Sequence, residues 1–276
     1  MKKSDTLKIL ATSGLLLVDA MVFQEILARK LDVDTLSIVK SKQNVKKALE
    51  ENWEKILKKN YEPIFEIALN ILRELPASPY VNNGLIDLLE IAYDMASSTI
   101  LLKHDIFGRI YHQLLLGKLA KYYATYYTSI PAARLLARLL VNLPSKINLE
   151  EVPPKINNTS LKVIDFACGS GTLLSAIYKE LDIKYRLEAE KPNPQALHKY
   201  LVEEGLWGFD VLQHATHLAS TTLFLHEPYQ PIDSSRIYAL RLGVSGSLQS
   251  NSKARNAYLG SLDFLEKEKI TYTMLL

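Results

Sequence analysis

The sequence predicts an α/β protein, in which an N-terminal helical domain over residues 1–143 precedes part of an open parallel sheet over residues 161–276. Two observations lead to this fold class. From Asp5 to about Leu143, apolar residues recur at the three- and four-residue spacing of one helix face. After a linker at 144–160, which is rich in proline and asparagine, short apolar runs alternate with helical patterns. That alternation favours parallel strands joined by helices.

The composition is that of a globular protein with a buried core. Apolar residues make up 48% of the 276 residues and charged residues 23%, which excludes wholesale disorder. Cys168 is the single cysteine, so the chain has no internal disulfide, as expected in a reducing cytosol. The net charge of +3 is too small to predict nucleic-acid binding by itself.

The N-terminal segment has basic residues followed by apolar ones, as secretory signals and amphipathic helices both do. Asp5 and Lys8 interrupt a signal pattern, and the uncharged run from Ile9 to Val18 is too short to span a bilayer. An amphipathic helix is the favoured interpretation. Its apolar face would consist of Leu15, Val18, Val22, Ile26 and Leu27. We therefore expect a cytoplasmic protein that does not insert into a membrane.

Five further helices are predicted in the N-terminal half. The segment NVKKALEENWEKILKKN places five apolar residues on one face, namely Val45, Leu49, Trp53, Ile56 and Leu57. YEPIFEIALNILREL, NNGLIDLLEIAYDMASSTILL and GRIYHQLLLGKLAKYY follow. The last helix begins at SIPAARLLARLLVNL, where Ser129 is a suitable N-cap and Pro131 suits the first turn.

Beyond the linker, three segments predict strands and two predict the helices between them. The strands are LKVIDF, LWGFD and SRIYALRLG, and the helices are GTLLSAIYKEL and VLQHATHLASTTLFLHE. KYRLEAEKPNPQALHKYLVEEG is an insertion that we expect to be partly helical, and EKITYTMLL begins a fourth strand. Ligands of such sheets bind beyond the carboxyl ends of the strands. The acids at two of those ends, Asp165 and Asp210, are therefore candidate binding residues.

A turn of small residues separates the first strand from its helix. Gly169 and Gly171 permit a tight bend and the close approach of a ligand to the backbone, and the helix N-terminus offers free N–H groups. A dinucleotide fingerprint is excluded, because Leu174 stands where its third glycine would be. The turn also lacks the lysine of a triphosphate-binding loop. We expect instead a cation-bearing nucleoside held partly by carboxylates.

The segment DFACGSGTLL resembles the D-P-A-C-G-S-G-T-F-L motif of the N6-adenine DNA methyltransferases, the modification subunits of type I restriction systems and their fused relatives. The resemblance implies a partial Rossmann-like methyltransferase sheet and S-adenosyl-L-methionine as the cofactor. Phe166 stands where the family usually has proline. We expect this change to matter little, because the position supplies shape rather than a polar contact. The cofactor-binding residues implied by this motif are Asp165, Ala167, Gly169, Gly171 and Thr172.

Three other segments resemble motifs of the same family. LWGFDVLQHATHLASTTLFL is similar to the motif whose acid accepts hydrogen bonds from the ribose hydroxyls, which implies that role for Asp210. YLGSLDFL is similar to the motif that holds the adenine, which implies that Asp263 accepts from its amine and Phe264 lies against its ring. YYTSIPAARLLARLLV resembles the motif before the first strand, which implies that Tyr127 and Thr128 reach the methionine end.

The family's catalytic loop, Asn/Asp-Pro-Pro-Tyr/Phe, does not occur in these 276 residues. The adjacent Pro153 and Pro154 precede the first strand and no aromatic residue follows them. The resemblance, which covers about residues 100–265, therefore implies the cofactor-binding portion of a DNA adenine-N6 methyltransferase of a restriction-modification system, inactive alone. DNA would bind together with the remaining part or with a partner subunit. We also expect an unpaired sheet edge beside the first strand, which a second polypeptide would cover.

Two other functions stay open: a non-catalytic interaction subunit, and a methyltransferase that acts on RNA or protein. A nucleophilic role for Cys168 is disfavoured because no histidine lies near it in sequence. His214 and His217 lack further ligands at metal spacing, so no metal site is expected. One aromatic and basic cluster is interpreted as helix packing rather than a DNA surface; it comprises Lys118, Lys121, Tyr122, Tyr123, Tyr126 and Tyr127.

Overall fold

The chain folds into two compact units. The helical unit comprises Met1–Tyr127 with Ser220–Ser235, and the sheet unit comprises Thr128–Ala219 with Arg236–Leu276. The computed structural model describes residues 3–59, 61–98, 106–115, 128–142, 147–232, 234–239 and 274–275.

Six helices of the helical unit lie within the described residues. They are α1 Lys3–Leu27, α2 Leu36–Lys40, α3 Val45–Leu57, α4 Glu62–Glu74, α5 Pro79–Ser97 and α6 Ile106–Leu115. Two of them begin at side-chain caps of the expected kind. Asn44 accepts a hydrogen bond from the N–H of Lys47 at α3, and Ser78 accepts one from the N–H of Val81 at α5.

Helix α1 is the centre of this unit and packs against α4, α5 and α6. All five residues predicted for its apolar face are buried: Leu15, Val18, Val22, Ile26 and Leu27. Every other residue from Leu15 to Gln24 is buried too, so the predicted helix is present but it is enclosed on all sides rather than amphipathic. By length and composition alone, Ile9–Leu27 could cross a membrane, since its mean hydropathy is 1.6. However, 61% of that window is buried inside the protein, as in the core helix of a globular domain.

A polar cluster and an aromatic cluster fix α1 to its neighbours. Gln24 accepts a hydrogen bond from the indole N–H of Trp53 at 2.8 Å, and its own amide donates to the carbonyl of Asp34 at 2.7 Å. Phe23, Tyr61 and Phe224 pack with ring centroids 6.3–6.5 Å apart. Both polar ends of the buried Gln24 amide are therefore paired, as a stable interior favours.

The elements of the sheet unit follow the predicted order. Its helices are α7 Ile130–Asn142, α8 Thr172–Glu188, α9 Pro194–Tyr200 and α10 Gln213–Phe224, the last of which ends in the helical unit. Its strands are β1 Ile147–Asn148, β2 Lys155–Ile156, β3 Thr159–Ser160, β4 Val163–Asp165, β5 Leu206–Asp210, β6 Arg236–Ala239 and β7 Met274–Leu275. Helix α7 starts where the sequence predicted, since the carbonyl of Ser129 accepts from the N–H of Ala133.

Within the described residues, the main sheet has four parallel strands in the order β6-β5-β4-β7. Strand β4 pairs with β5 so that Val163 lies opposite Leu206 and Asp165 lies opposite Gly208. The three strands predicted from the apolar runs are thus confirmed as neighbours. Their parallel direction brings their carboxyl ends to one edge of the sheet.

Two expectations about this unit were wrong. The linker at 144–160 is not a plain connecting loop, because its residues from Ile147 onward form a three-stranded antiparallel sheet in the order β1-β2-β3. The edge beside the first strand is not unpaired, because β7 pairs in parallel with β4, with Met274 opposite Val163. The proposed need for a second polypeptide at that edge therefore disappears.

The insertion between α8 and β5 is partly helical, as predicted, but its last turn is a π-helix over Leu201–Gly205. Wider turns leave carbonyl groups without their usual helical partners. Two side chains from the sheet satisfy them. The guanidinium of Arg236 donates to the carbonyl of Glu203 at 2.6 Å, and the indole of Trp207 donates to the carbonyl of Glu204 at 2.7 Å.

Candidate functional site

The candidate site lies where β4 and β5 end side by side. Asp165 is the last residue of β4, and Asp210 is the last residue of β5. Because the strands are parallel neighbours, both acids lie at the carboxyl edge of the sheet. Residues 166–171, which we call the glycine turn, connect β4 to α8 at this edge.

Two glycines make the turn possible. Gly169 and Gly171 have φ values of +52° and +85°, in the left-handed region that side chains disfavour. A Cβ added to Gly171 would lie 3.0 Å from both Cα and Cβ of Ala219, so helix α10 also requires a glycine there. At Gly169 the corresponding position has no atom within 4 Å. The turn therefore packs tightly against α10 at Gly171, whereas there is free space beside Gly169.

Both carboxylates accept hydrogen bonds from backbone N–H groups around this turn. Asp165 Oδ1 accepts from the N–H of Ala167 at 3.0 Å. Asp210 Oδ2 accepts from the N–H of Gly169 at 3.0 Å, and its Oδ1 accepts from the N–H of Leu212 at 2.9 Å. Each oxygen has a further lone pair with which to accept from a ligand.

Burial dominates the electrostatic environment of Asp165. Burial raises the pKa of Asp165 to about 6; the N–H of Ala167 opposes this rise and the negative charge of Asp210 adds to it. Asp165 is only 7% exposed. A nearby positive charge would lower the pKa of this buried carboxyl group and stabilise its ionised form. The site therefore suits a ligand that carries positive charge.

The cysteine and a histidine beside these acids also have shifted pKa values. Burial raises the pKa of Cys168 well above its ordinary value, and the charges of Asp165 and Asp210 raise it further. Burial lowers the pKa of His214. The charge of Asp210 partly offsets this decrease, and His217 adds to it. Across the described part of the chain, no group of three or more His, Cys, Asp or Glu residues could hold a metal ion.

The structure brings six of the predicted site residues together at the strand ends: Asp165, Ala167, Gly169, Gly171, Thr172 and Asp210. Ala167 is exposed and Gly169 is half-buried, so both can be reached by a ligand. Thr128 is exposed just before α7. Tyr127, Asp263 and Phe264 lie outside the described residues. The ligand-binding role of each residue stays a prediction.

Sequence analysis missed Val211, an exposed apolar residue between Asp210 and Leu212. Its exposed fraction is 42%, high for a large apolar side chain. Its position directly after the acid that ends β5 was the available signal. We expect Val211 to cover an apolar face of the ligand.

Comparison with known proteins supports the methyltransferase interpretation. The family model for N-6 DNA Methylase matches residues 102–239, which is half of the 276-residue chain. The segment YLGSLDFL, which resembles the adenine-holding motif, lies beyond that match. Among curated proteins, none matches the chain.

Thirteen chains of solved structures match this one, including the following two. One comes from a study of complex assembly and conformational transition in the type I R-M system; it is 17% identical, with a TM-score of 0.42, over 83% of this chain and 46% of that one. The other is a modification subunit of a putative type I restriction enzyme from Vibrio vulnificus YJ016, 16% identical, with a TM-score of 0.39, over 88% of this chain and 52% of that one. This chain spans about half the length of either.

The motif DFACGSGTLL lies inside the matched range, as do both strand-ending acids. The family inferred from that motif is therefore confirmed by the match over residues 102–239. By this match, the chain belongs to the N-6 DNA methylase family.

Proposed function

We propose that the chain binds S-adenosyl-L-methionine at the glycine turn, as the cofactor-binding part of a DNA adenine-N6 methyltransferase. One observation carries the proposal: the acids that end β4 and β5 both bond to the backbone of the same turn or its flanks. That arrangement fixes two carboxylates beside an open backbone position at Gly169. A nucleoside with a positively charged tail matches both features.

The strand order supports a Rossmann-like interpretation of the sheet. Along the chain, β4, β5 and β6 follow one another toward one edge of the sheet. Strand β7 lies on the other side of β4, which gives the order β6-β5-β4-β7. The order therefore reverses beside β4. Ligands of open α/β sheets bind at such a reversal, beyond the carboxyl ends of the strands. The glycine turn follows β4 and lies at that place.

The chain's own residues fit the chemistry of this cofactor. Asp210 would accept hydrogen bonds from the ribose hydroxyls, since its lone pairs are not all used by the N–H groups of Gly169 and Leu212. Asp165 would provide negative charge near the sulfonium-bearing tail. Ala167 and Gly169 would let the cofactor approach the backbone, and Val211 would cover an apolar face. The bound cofactor supplies an activated methyl group.

The proposal extends to partners and location. We propose that the chain acts on DNA within a restriction-modification system, together with other subunits, in the cytoplasm. We further propose that these 276 residues do not methylate DNA alone, because they contain no Asn/Asp-Pro-Pro-Tyr/Phe loop. The division predicted from the sequence, with a helical domain at 1–143, a linker at 144–160 and a cofactor-binding domain at 161–276, differs from the two compact units, because α7 and the small sheet belong to the sheet unit and Ser220–Ser235 belongs to the helical unit.

Isothermal titration calorimetry with S-adenosylhomocysteine tests the cofactor site. We expect the wild-type chain to bind and Asp210→Ala to lose binding, because the ribose would lose its acceptor. Asp182→Ala is the matched control. It also removes one negative charge, but Asp182 pairs with Arg186 on the surface of α8, away from the glycine turn. Absence of binding at millimolar ligand, with the protein folded by circular dichroism, would favour a non-catalytic interaction subunit.

A further inference from the structure

The glycine turn is attached to both faces of β5. On one face, the ring of Phe166 stacks on Phe209, with centroids 5.9 Å apart and an interplanar angle of 20°. On the other face, the Cys168 side chain lies against Gly208, where an added Cβ would be only 2.9 Å from Sγ. Neighbouring residues of a strand face opposite sides. Phe166 and Cys168 therefore enclose the end of β5 between them.

Backbone hydrogen bonds continue this attachment to the end of the strand. The N–H of Cys168 donates to the carbonyl of Phe209 at 2.9 Å. The N–H of Gly169 donates to Asp210 Oδ2 at 3.0 Å. The orientation of the Asp210 carboxylate thus depends on where the turn lies relative to β5.

We propose that Phe166 and Cys168 are positioning residues, which hold the glycine turn on the end of β5 and thereby hold Asp210 in its ligand-binding orientation. The inference rests on the proposed cofactor site, and it assigns a role to the position at which this chain departs from its family. A proline at 166 has no aromatic ring to place on Phe209. Phe166 is then a functional residue that acts through Asp210, rather than a neutral replacement.

A second aromatic ring on Phe209 provides a control, which separates the positioning of the turn from the general effect of removing a ring. Tyr238 stacks on the same Phe209, with a centroid distance of 5.8 Å and an interplanar angle of 21°. Tyr238 belongs to β6, however, whereas Phe166 belongs to the turn. Removing either ring takes a similar stacking contact from Phe209. Only the loss of Phe166 should release the turn.

The first experiment compares S-adenosylhomocysteine affinity in Phe166→Leu, Phe166→Tyr and Tyr238→Leu by calorimetry, at a temperature where all are folded. If the binding-competent turn falls to about a tenth of the population, the apparent Kd rises about ten-fold. We expect that rise in Phe166→Leu, with affinity restored in Phe166→Tyr and unchanged in Tyr238→Leu. Equal weakening in Phe166→Leu and Tyr238→Leu, or none in either, would overturn the positioning role.

A second experiment needs no ligand, so that it separates this inference from the proposed function. Amide hydrogen exchange by NMR reports whether the N–H groups of Cys168 and Gly169 keep their partners on β5. We expect exchange at both to be at least about ten-fold faster in Phe166→Leu, and somewhat faster in Cys168→Ala, with no change in Tyr238→Leu. Unchanged exchange in Phe166→Leu would refute the inference even if the wild-type chain binds the cofactor. Absence of wild-type binding with this pattern intact would refute only the proposed function.

Discussion

Replacement of Gly171 by alanine tests whether the glycine turn is fixed by its own backbone or by the helix beside it. Gly171 has φ +85° and ψ +15°, a left-handed conformation at the N-terminus of α8. Alanine in that region costs about 1–2 kcal/mol. The added Cβ would also lie 3.0 Å from Cα and Cβ of Ala219, and such overpacking costs about 1–3 kcal/mol. We therefore expect Gly171→Ala to lower the free energy of unfolding by about 2–5 kcal/mol.

Gly169→Ala isolates the backbone contribution. Its φ of +52° is also left-handed, but the added Cβ would meet no atom within 4 Å. It should therefore cost only the conformational part, about 1–2 kcal/mol. The difference between the two variants measures the contact with Ala219.

The free energy of unfolding of both variants is obtained from urea denaturation. Circular dichroism and tryptophan fluorescence monitor the transition. A double-mutant cycle with Ala219→Gly adds a check, because that change should be less harmful in the Gly171→Ala background than in the wild type. If Gly171→Ala and Gly169→Ala lose the same free energy, and the cycle shows no coupling, the close approach of α10 to the turn does not constrain residue 171.

Two buried groups predict opposite dependences of stability on pH, both measured from urea midpoints between pH 4 and 7.5. Burial lowers the pKa of His198 from 6.5 to about 4, so the unfolded state binds the proton first. His198 should therefore contribute a fall of about 3 kcal/mol in the free energy of unfolding as pH drops through this window. That contribution is measured as the difference between the wild-type chain and His198→Asn, because Asp165 titrates in the opposite sense over the same range. For Asp165 the folded pKa is raised from 3.8 to about 6, so the folded state binds the proton first and stability falls as pH rises. Asp165→Asn keeps an oxygen for the N–H of Ala167. It should be more stable than the wild-type chain by about 1–3 kcal/mol at pH 7.5, and this gain should become small at pH 4; a destabilised variant at pH 7.5 would contradict the expectation.

Local patterns were sufficient to predict the main elements. The strand LWGFD coincides with β5 because a short apolar run bounded by a turn has few alternatives. The helix NVKKALEENWEKILKKN contains α3 because its apolar residues follow one face, of which Val45, Leu49, Trp53 and Ile56 are buried. In both segments the local preference agrees with the burial that the fold imposes.

The small sheet before β4 was missed although its signal was present. Asn157 and Asn158 were interpreted as loop residues, yet they have φ values of +48° and +65° and connect β2 directly to β3. Adjacent residues in the left-handed region form the two-residue turns of hairpins, for which asparagine is well suited. Strands of two residues are too short to show alternation, so only the turn could have revealed them.

Pairings between distant segments were beyond the reach of sequence patterns. Strand β7 lies beside β4 although more than a hundred residues separate Met274 from its partner Val163. Nothing in a two-residue strand specifies a parallel partner, because parallel pairing depends on the crossover connection rather than on the strand. The expectation of an open edge failed for this reason.

Phe166 shows how a single residue changes meaning once its neighbours are known. Compared with a family motif it is an unexplained departure from proline, and the motif position alone indicates only shape. In the fold, residue 166 lies beside residue 209 of the next strand, which is also aromatic, and the two rings stack. Residue 209 in turn precedes the acid that accepts from Gly169. The phenylalanine at position 166 thus has an aromatic partner in the adjacent strand. We infer that this contact helps to orient Asp210, the acid on which the proposed cofactor site depends most.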